Sequence, residues 1–219
     1  MDAHTSPRPH GVLTSTTQFD PRLRTRSIPG GDVVWSNPTT RFVLHLVMAI
    51  LAYYIAGKIG QATTNIRSGN LGPVWPASGI ALAIVLRYGY RVWPGLAAGS
   101  FLVAFQSPVS AMTAMGQATG ATLAAVSGAF LLRRVTRFDP ALSRLKDALA
   151  LIVIGAFGAT ILSASIGMAA LYATGAQPYS GLGKAWMIYW LGDATGVLLI
   201  TPLVFTLPAL RSAGAAKRL

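Results

Sequence analysis

The chain has 219 residues, of which 53% are hydrophobic and only 11% are charged, whereas an average soluble domain carries roughly 25% charged residues. Its mean hydropathy is +0.52, which excludes an ordinary soluble domain and predicts an integral membrane protein. The net charge of +12 comes from basic residues that cluster between apolar runs, a pattern that indicates membrane orientation and no nucleic-acid partner. The absence of cysteine excludes disulfide scaffolds and thiol nucleophiles.

The amino-terminal region, residues 1–41, is rich in Pro, Ser, Thr and Arg and shows no apolar period. This composition predicts a disordered cytoplasmic tail. A signal peptide needs an apolar core within about the first 30 residues, and no such core precedes Phe42. We therefore expect the first apolar run to be retained as a membrane helix.

Six apolar runs follow, each bounded by Gly, Pro or charged residues as helix ends usually are. They cover residues 42–59, 74–90, 92–106, 109–132, 148–174 and 185–207. We predict an all-α, polytopic membrane bundle of about six transmembrane helices over residues 42–207, followed by a cytoplasmic stub over 208–219. Asp139 and Pro140 are typical of a helix cap and a first helical residue, so they predict the start of the fifth helix.

The distribution of Lys and Arg predicts the orientation. With the amino terminus inside the cell, fifteen of the 18 basic residues lie on the inner side, and only Lys58, Arg67 and Lys184 lie outside. This asymmetry predicts that both termini are cytoplasmic.

The stretch VWPASGIALAIVLRYGYRVWPG, residues 74–95, carries Trp-Pro at both ends. Eighteen helical residues span roughly 27 Å, close to the hydrocarbon thickness, which predicts Trp75 at the outer interface and Trp93 at the inner one. The alternative is a re-entrant hairpin, which places Arg87 and Arg91 near mid-membrane at roughly 2.5–3.5 kcal/mol each. Spanning is therefore favoured.

Small residues recur at every fourth position of the fourth and fifth runs, and two glycines lie in the sixth. Such seams let helices approach closely, so we interpret them as packing positions. The glycines concerned are Gly116, Gly120, Gly128, Gly192 and Gly196.

Asp193 is the one acidic residue deep in an apolar run, within AWMIYWLGDATGVLLITPL. An unpaired carboxylate there costs a few kcal/mol, so Asp193 should be protonated, paired or facing a wet cavity. Helical spacing predicts that Trp190 shares its face, and Lys58 and Arg67 are the candidate charge partners. Asp193 is either part of a sensing pocket or a buried brace, and the sequence leaves both interpretations open.

Catalytic and metal-binding patterns are not evident in the sequence. His45 is the single histidine within an apolar run, and one ligand makes no metal or haem site. No nucleophile, base and orienting residue stand out together. We therefore predict neither an enzyme nor a bound cofactor.

Three segments carry a family resemblance: WPASGIA with RYGYRVWPG, the linker FDPALSRLKDAL, and YWLGDATGVLLITPL. Together they resemble the bacterial membrane-associated sensor domain family, type one (the MASE family), over about residues 43–207. The resemblance implies an inner-membrane sensory input region of the kind joined to histidine kinases, diguanylate cyclases or cyclic-di-GMP phosphodiesterases. These 219 residues contain no phospho-accepting helix and no GGDEF-like or EAL-like segment, so the output domain is expected outside them.

Three functions are open at this point. A sensory module detects a ligand or membrane partner, in a pocket that we expect to include Trp75, Pro76, Ser78, Trp190 and Asp193. A small-molecule binding or transport subunit is the alternative, similar in helix number to the substrate-binding components of vitamin uptake systems. A structural scaffold is the third. The expected partners are the lipid bilayer, a small ligand or membrane protein, and a second copy in a homodimer.

Overall fold

The computed structural model describes residues 37–62 and 74–216, and the side chains only as far as residue 207. The described part is all helical, as predicted, and contains six main helices. These are α1 (Pro38–Ala62), α2 (Pro76–Tyr88), α3 (Trp93–Phe105), α4 (Ala111–Leu131), α5 (Leu145–Ala173) and α6 (Leu182–Ala216). Wider π-helical turns extend α4 over Leu132–Thr136 and form the Leu151–Gly158 part of α5.

Four helical segments of the described part are long and apolar enough to cross a membrane. They are Pro38–Ala62, Ala111–Thr136, Leu145–Ala173 and Tyr179–Leu207. Helices α2 and α3 have 13 residues each and so measure about 20 Å, against a hydrocarbon core of about 30 Å. The chain is thus a membrane bundle built on four long helices and a short hairpin.

Helix α1 begins earlier than the apolar run that predicts it. Its first residue is Pro38, and the Asn37 side chain accepts the Thr39 N–H at 3.0 Å. Residues 1–36 and 63–73, and with them most of the predicted tail and Arg67, lie outside the described residues. At the other end, α6 continues beyond residue 207 as far as Ala216.

The hairpin of α2 and α3 starts each helix at a Trp-Pro pair, as predicted, because proline fits the first helical turn. The prediction of eighteen continuous helical residues is wrong. Gly89 adopts a φ of 86° that ends α2, a conformation open to glycine since it has no Cβ. A short turn over Tyr90–Val92 then reverses the chain.

The hairpin runs alongside α1. Trp75 and Pro76 lie against Gly60, and the ring of Tyr88 lies 4.6 Å from that of His45, so α2 is antiparallel to α1 over about 22 Å. Helix α3 returns parallel to α1, with Gly95 against Leu46 and Val103 against Gly57. The hairpin therefore begins and ends toward the same end of the bundle.

Trp75 is buried within the bundle, and its depth at the outer interface stays a prediction. Its side chain is only 9% exposed, against 53% for Trp93, and its ring packs onto Gly60. The indole enters the bundle because Gly60 leaves space for it, a contact between distant segments that the aromatic preference for interfaces does not anticipate.

The seam of α4 packs against α5, which forms the largest helix contact of the described part. Gly120 faces the backbone of Ser163, and Gly128 faces the methyl group of Ala159. Gly116 lies likewise against Ala170. A Cβ at any of these three glycines would meet an atom of α5, so the glycines allow the close approach of the two helices.

The loop between α4 and α5 differs from the prediction that a helix starts at Asp139 and Pro140. Asp139 and Pro140 do not start a helix, and α5 begins at Leu145. The Asp139 carboxylate instead accepts the Ala141 N–H and the Ser143 hydroxyl, each at 3.0 Å, since aspartate readily closes such turns. Both hydrogen bonds lower the pKa of Asp139, and the bond from the Ala141 N–H has the larger effect. Asp147 in the first turn of α5 is fully buried and accepts the Asp139 N–H at 3.2 Å.

Candidate functional site

Asp193 is the centre of the candidate site. It lies midway along the candidate membrane span Tyr179–Leu207 and is 3% exposed. The Ser78 hydroxyl of α2 donates a hydrogen bond to its Oδ1 at 2.5 Å. This hydrogen bond orients the carboxylate toward α2.

The close contact of α2 with α6 positions this pair. Trp75 N–H donates to Gly192 O at 2.8 Å, and a Cβ on Gly196 would overlap the Trp75 carbonyl. Further along, Thr201 Oγ1 donates to Gly79 O at 3.0 Å. Because the glycines bring the backbones together, Ser78 in the first turn of α2 reaches the α6 carboxylate. This turn is also the positive end of the helix dipole, which favours a negative charge.

Two small cavities flank Asp193. The first has polar groups from α1, α3, α4 and α6, namely Tyr53, Ser100, Gln117 and Tyr189. The second lies among α2, α4, α5 and α6 and has the polar side chains Ser78, Thr160 and Ser163. Each cavity has a volume of about 20 Å³, which suffices for one water molecule. An organic ligand needs hundreds of Å³, so neither cavity admits one in this conformation.

Ser163 is an unsatisfied polar group at this site. It is 2% exposed, and its Oγ has no hydrogen-bond partner in the described part of the chain. The hydroxyl lies close to the Asp193 carboxylate and the Tyr189 hydroxyl and lines the second cavity. An unmade buried hydrogen bond costs about 1–3 kcal/mol, so this position favours a bound polar species.

The structure brings together three of the five predicted pocket residues: Trp75, Ser78 and Asp193. Pro76 lies behind them, against Gly60.

Trp190 lies apart from the pocket. Its Nε1 donates to Phe157 O at 3.1 Å, and its ring stacks on Trp186 at 5.7 Å. Tyr189 takes the place beside Asp193 that was predicted for Trp190.

The predicted charge partner Lys58 does not pair with Asp193. Its Nζ donates to Gln61 Oε1 at 3.0 Å and lies 5.7 Å from the centre of the Tyr54 ring. Arg67, the other candidate, is outside the described residues. Within the described part, Ser78 is the hydrogen-bond donor to the carboxylate.

Sequence reasoning missed Tyr53, Gln117, Ser163 and Tyr189. For two of them, the spacing in the sequence indicates a position near Asp193 or in a helix contact. Tyr189 precedes Asp193 by four residues and thus shares its helix face, and Ser163 is the hydroxyl-bearing member of the small-residue seam of α5. Tyr53 and Gln117 are polar groups in apolar runs, a weaker signal because such groups often serve packing alone.

Metal-binding geometry is not found in the described residues, where no three His, Cys, Asp or Glu side chains come together. His45 instead packs against Tyr88.

Comparison with known proteins yields one match. The family model described as MASE1 matches residues 45–212, which is most of the chain. No curated protein matches the sequence. No solved structure matches it either.

Proposed function

Because the chain belongs to the MASE1 family of membrane sensory domains, we propose that it is the sensory input domain of a bacterial signal-transduction protein in the inner membrane. It detects a stimulus through the Asp193 site and relays it through α6 to a cytoplasmic output domain, such as a histidine kinase or a cyclase. Its own role is binding and relay, without catalysis. The observation that carries the proposal is the buried contact between Ser78 and Asp193, which joins α2 to α6.

The topology of the bundle supports a cytoplasmic relay. The α2–α3 hairpin begins and ends toward the same end of the bundle, which supports an even number of crossings by the described helices, whether or not the hairpin traverses the bilayer. With fifteen of the 18 basic residues on one side, we propose six crossings and two cytoplasmic termini. The exposed Arg87 and Arg91 at the hairpin tip extend to the interface along their aliphatic stems.

The α2–α6 contact supports the relay itself. Trp75, Gly79, Gly192 and Gly196 hold the two backbones together, so a shift of α2 must be accommodated by α6. Helix shifts of 1–2 Å are a common switching motion. A stimulus that changes the Ser78–Asp193 contact therefore biases the position of α6 and of the domain attached to it.

Size argues against a transport function at Asp193. The cavities of about 20 Å³ beside it are far smaller than organic ligand sites. The groove between α5 and α6, lined by Ser165, Met168, Tyr172 and Trp186, has about 430 Å³, but it is apolar and lies apart from Asp193. We therefore favour sensing over solute transport.

A fusion experiment tests this function. The chain is fused in frame to a diguanylate cyclase reporter, and cyclic-di-GMP is measured for the wild type, Asp193→Asn and Asp139→Asn. Asp193→Asn should change the reporter output severalfold, whereas Asp139→Asn makes the same chemical change in the α4–α5 loop and should leave it unchanged. Equal output from all three, at equal amounts in the membrane, contradicts the proposal.

A further inference from the structure

We propose that Asp193, Ser78 and Ser163 form a binding site for one monovalent cation, either a proton or Na⁺. The inference rests on the proposed function for its biological use, since it names the species that the sensor exchanges. The binding itself follows from the charge, size and chemistry of the site.

The negative charge of the buried Asp193 carboxylate favours a bound cation. Asp193 is buried midway along a candidate membrane span, and Lys58, the predicted charge partner within the described part, bonds to Gln61 instead. One hydroxyl bond from Ser78 and the dipole of α2 compensate the carboxylate only in part. An uncompensated buried charge is strongly unfavourable, so a cation or a proton stabilises the folded bundle.

The number of carboxylates that line the two cavities determines the charge of the cation that would neutralise the site. Asp193 is the single carboxylate among the residues that line them. A divalent ion at this position would leave a net positive charge in an apolar region, at a high cost in desolvation. One monovalent cation gives a neutral site.

The ligand atoms at the second cavity suit a hard cation. Ser78, Thr160 and Ser163 place hydroxyl groups around the cavity beside Asp193, and carboxylate and hydroxyl oxygens are ligands for hard ions. The Ser163 hydroxyl has no partner in the described part of the chain, so its lone pairs are available. A cavity of about 20 Å³ accepts Na⁺ or a protonated carboxyl with one water.

Asp193 is the one acidic side chain among the residues that line the two cavities. The groups that face it are uncharged near neutral pH: two tyrosines from α1 and α6, and hydroxyls and an amide from the other helices. They are Tyr53, Tyr189, Ser78, Ser100, Gln117, Thr160 and Ser163. A proton and Na⁺ must then compete for the same carboxylate.

The site spans three helices, because Ser78 lies in α2, Ser163 in α5 and Asp193 in α6. A bound cation draws these helices together, and its release loosens them. Occupancy thus acts on the α2–α6 contact that the proposed relay uses.

Thermal unfolding of the purified chain in nanodiscs tests the proposal, in NaCl or choline chloride of equal ionic strength, at pH 6 to 9. Cation binding to the folded state raises the Tm. In the wild type we expect saturable stabilisation by Na⁺, with the half-saturating concentration rising about tenfold for each pH unit below the pKa of the site, as competition requires. A Tm that depends on pH but not on Na⁺ identifies the proton as the cation. In either case Asp193→Asn abolishes the dependence.

A second pair of variants covers the case in which Asp193→Asn fails to fold. Ser163→Ala keeps the charge and removes one ligand, so the half-saturating Na⁺ concentration should rise about fivefold. Ser165→Ala on the same helix, where the hydroxyl accepts the Trp186 N–H at 3.3 Å, should leave it unchanged. In the proton case, Ser163→Ala shifts the pH midpoint of the Tm and Ser165→Ala does not.

The proposal is overturned if neither Na⁺ nor pH changes the Tm of the wild type, or if both serine variants respond as the wild type does. Cation binding without a change in the cyclase reporter would reject the sensory function and leave the site intact.

Discussion

The backbone N–H of Trp75 donates to the carbonyl oxygen of Gly192 over 2.8 Å, and this bond joins the start of α2 directly to the first third of α6. Backbone contact between two helices requires that neither presents a side chain there. The absence of a Cβ at Gly196 therefore determines where Ser78 meets Asp193.

Replacement of Gly196 by alanine should destabilise the bundle, since the added methyl group would overlap the Trp75 carbonyl. We expect a loss of about 1–3 kcal/mol in the free energy of unfolding, measured by denaturation in micelles. Gly183→Ala, in the same helix, is the matched control because nothing lies within 4 Å of its added Cβ, and its effect should stay within about 0.5 kcal/mol. Equal effects would show that the α2–α6 contact is not close.

Removal of the Ser78 hydroxyl by Ser78→Ala should cost about 1–3 kcal/mol, because it leaves the buried Asp193 carboxylate without its donor. A double-mutant cycle with Asp193→Asn measures the coupling, which should exceed about 0.5 kcal/mol. Ser127→Ala is the control, since that hydroxyl bonds at 3.3 Å to Ala124 O of its own helix. Additive effects of Ser78→Ala and Asp193→Asn would contradict the contact.

Trp190→Phe should separate packing from sensing. The variant loses the N–H that bonds to Phe157 O at 3.1 Å, which should cost about 0.5–1.5 kcal/mol in stability. The cyclase reporter should read as in the wild type, because the ring lies apart from the cavities. A reporter change as large as that of Asp193→Asn would place Trp190 in the sensing site after all.

Arg133 should stabilise the hairpin end. Its guanidinium donates to Leu86 O at 2.6 Å and to Val85 O at 3.3 Å and lies 5.3 Å from the centre of the Tyr90 ring. Arg133→Lys loses the guanidinium whose Nη2 makes both bonds, so we expect a loss of about 1–2 kcal/mol in unfolding free energy. The exposed neighbour serves as control, and Arg134→Lys should be neutral. Equal stability of both variants would rule out this role.

The α4–α5 turn should keep its structure in mild acid. The Ala141 N–H and the Ser143 hydroxyl lower the pKa of Asp139, so its contribution is complete at neutral pH and is lost only as the pH falls through that lowered value. The amide shift of Ala141 in micelles should therefore titrate with a midpoint below the ordinary aspartate value of about 3.9. A midpoint at or above that value would contradict the hydrogen bonds, and Asp139→Asn should abolish the titration.

The sequence predicts the helices and their seams because these depend on local patterns. Apolar runs bounded by Gly and Pro give six helices, and small residues at every fourth position give the α4–α5 contact. The helix starts at Pro76 and Pro94 follow from the fixed φ of proline.

The errors concern relations that are not local. The rotation of α6 about its axis decides that Tyr189 and not Trp190 faces Asp193, and neighbouring helices set that rotation. The burial of Trp75 requires Gly60 and Gly196 on two other helices. Asp139 and Pro140 are equally compatible with a helix start and with a turn, and the structure contains the turn.

Helix α6 runs for 35 residues, or about 52 Å, and continues through Pro202 and Pro208. The contact with α2 at Gly192 lies in the first third of α6. The segment of α6 from Gly192 to Ala216 is therefore about 36 Å long. Pivoting that segment by 10° would swing its tip by about 6 Å, slightly more than one helical pitch of 5.4 Å. In the proposed relay, a small change in the tilt of α6 at its contact with α2 would therefore displace an attached output domain by several ångströms.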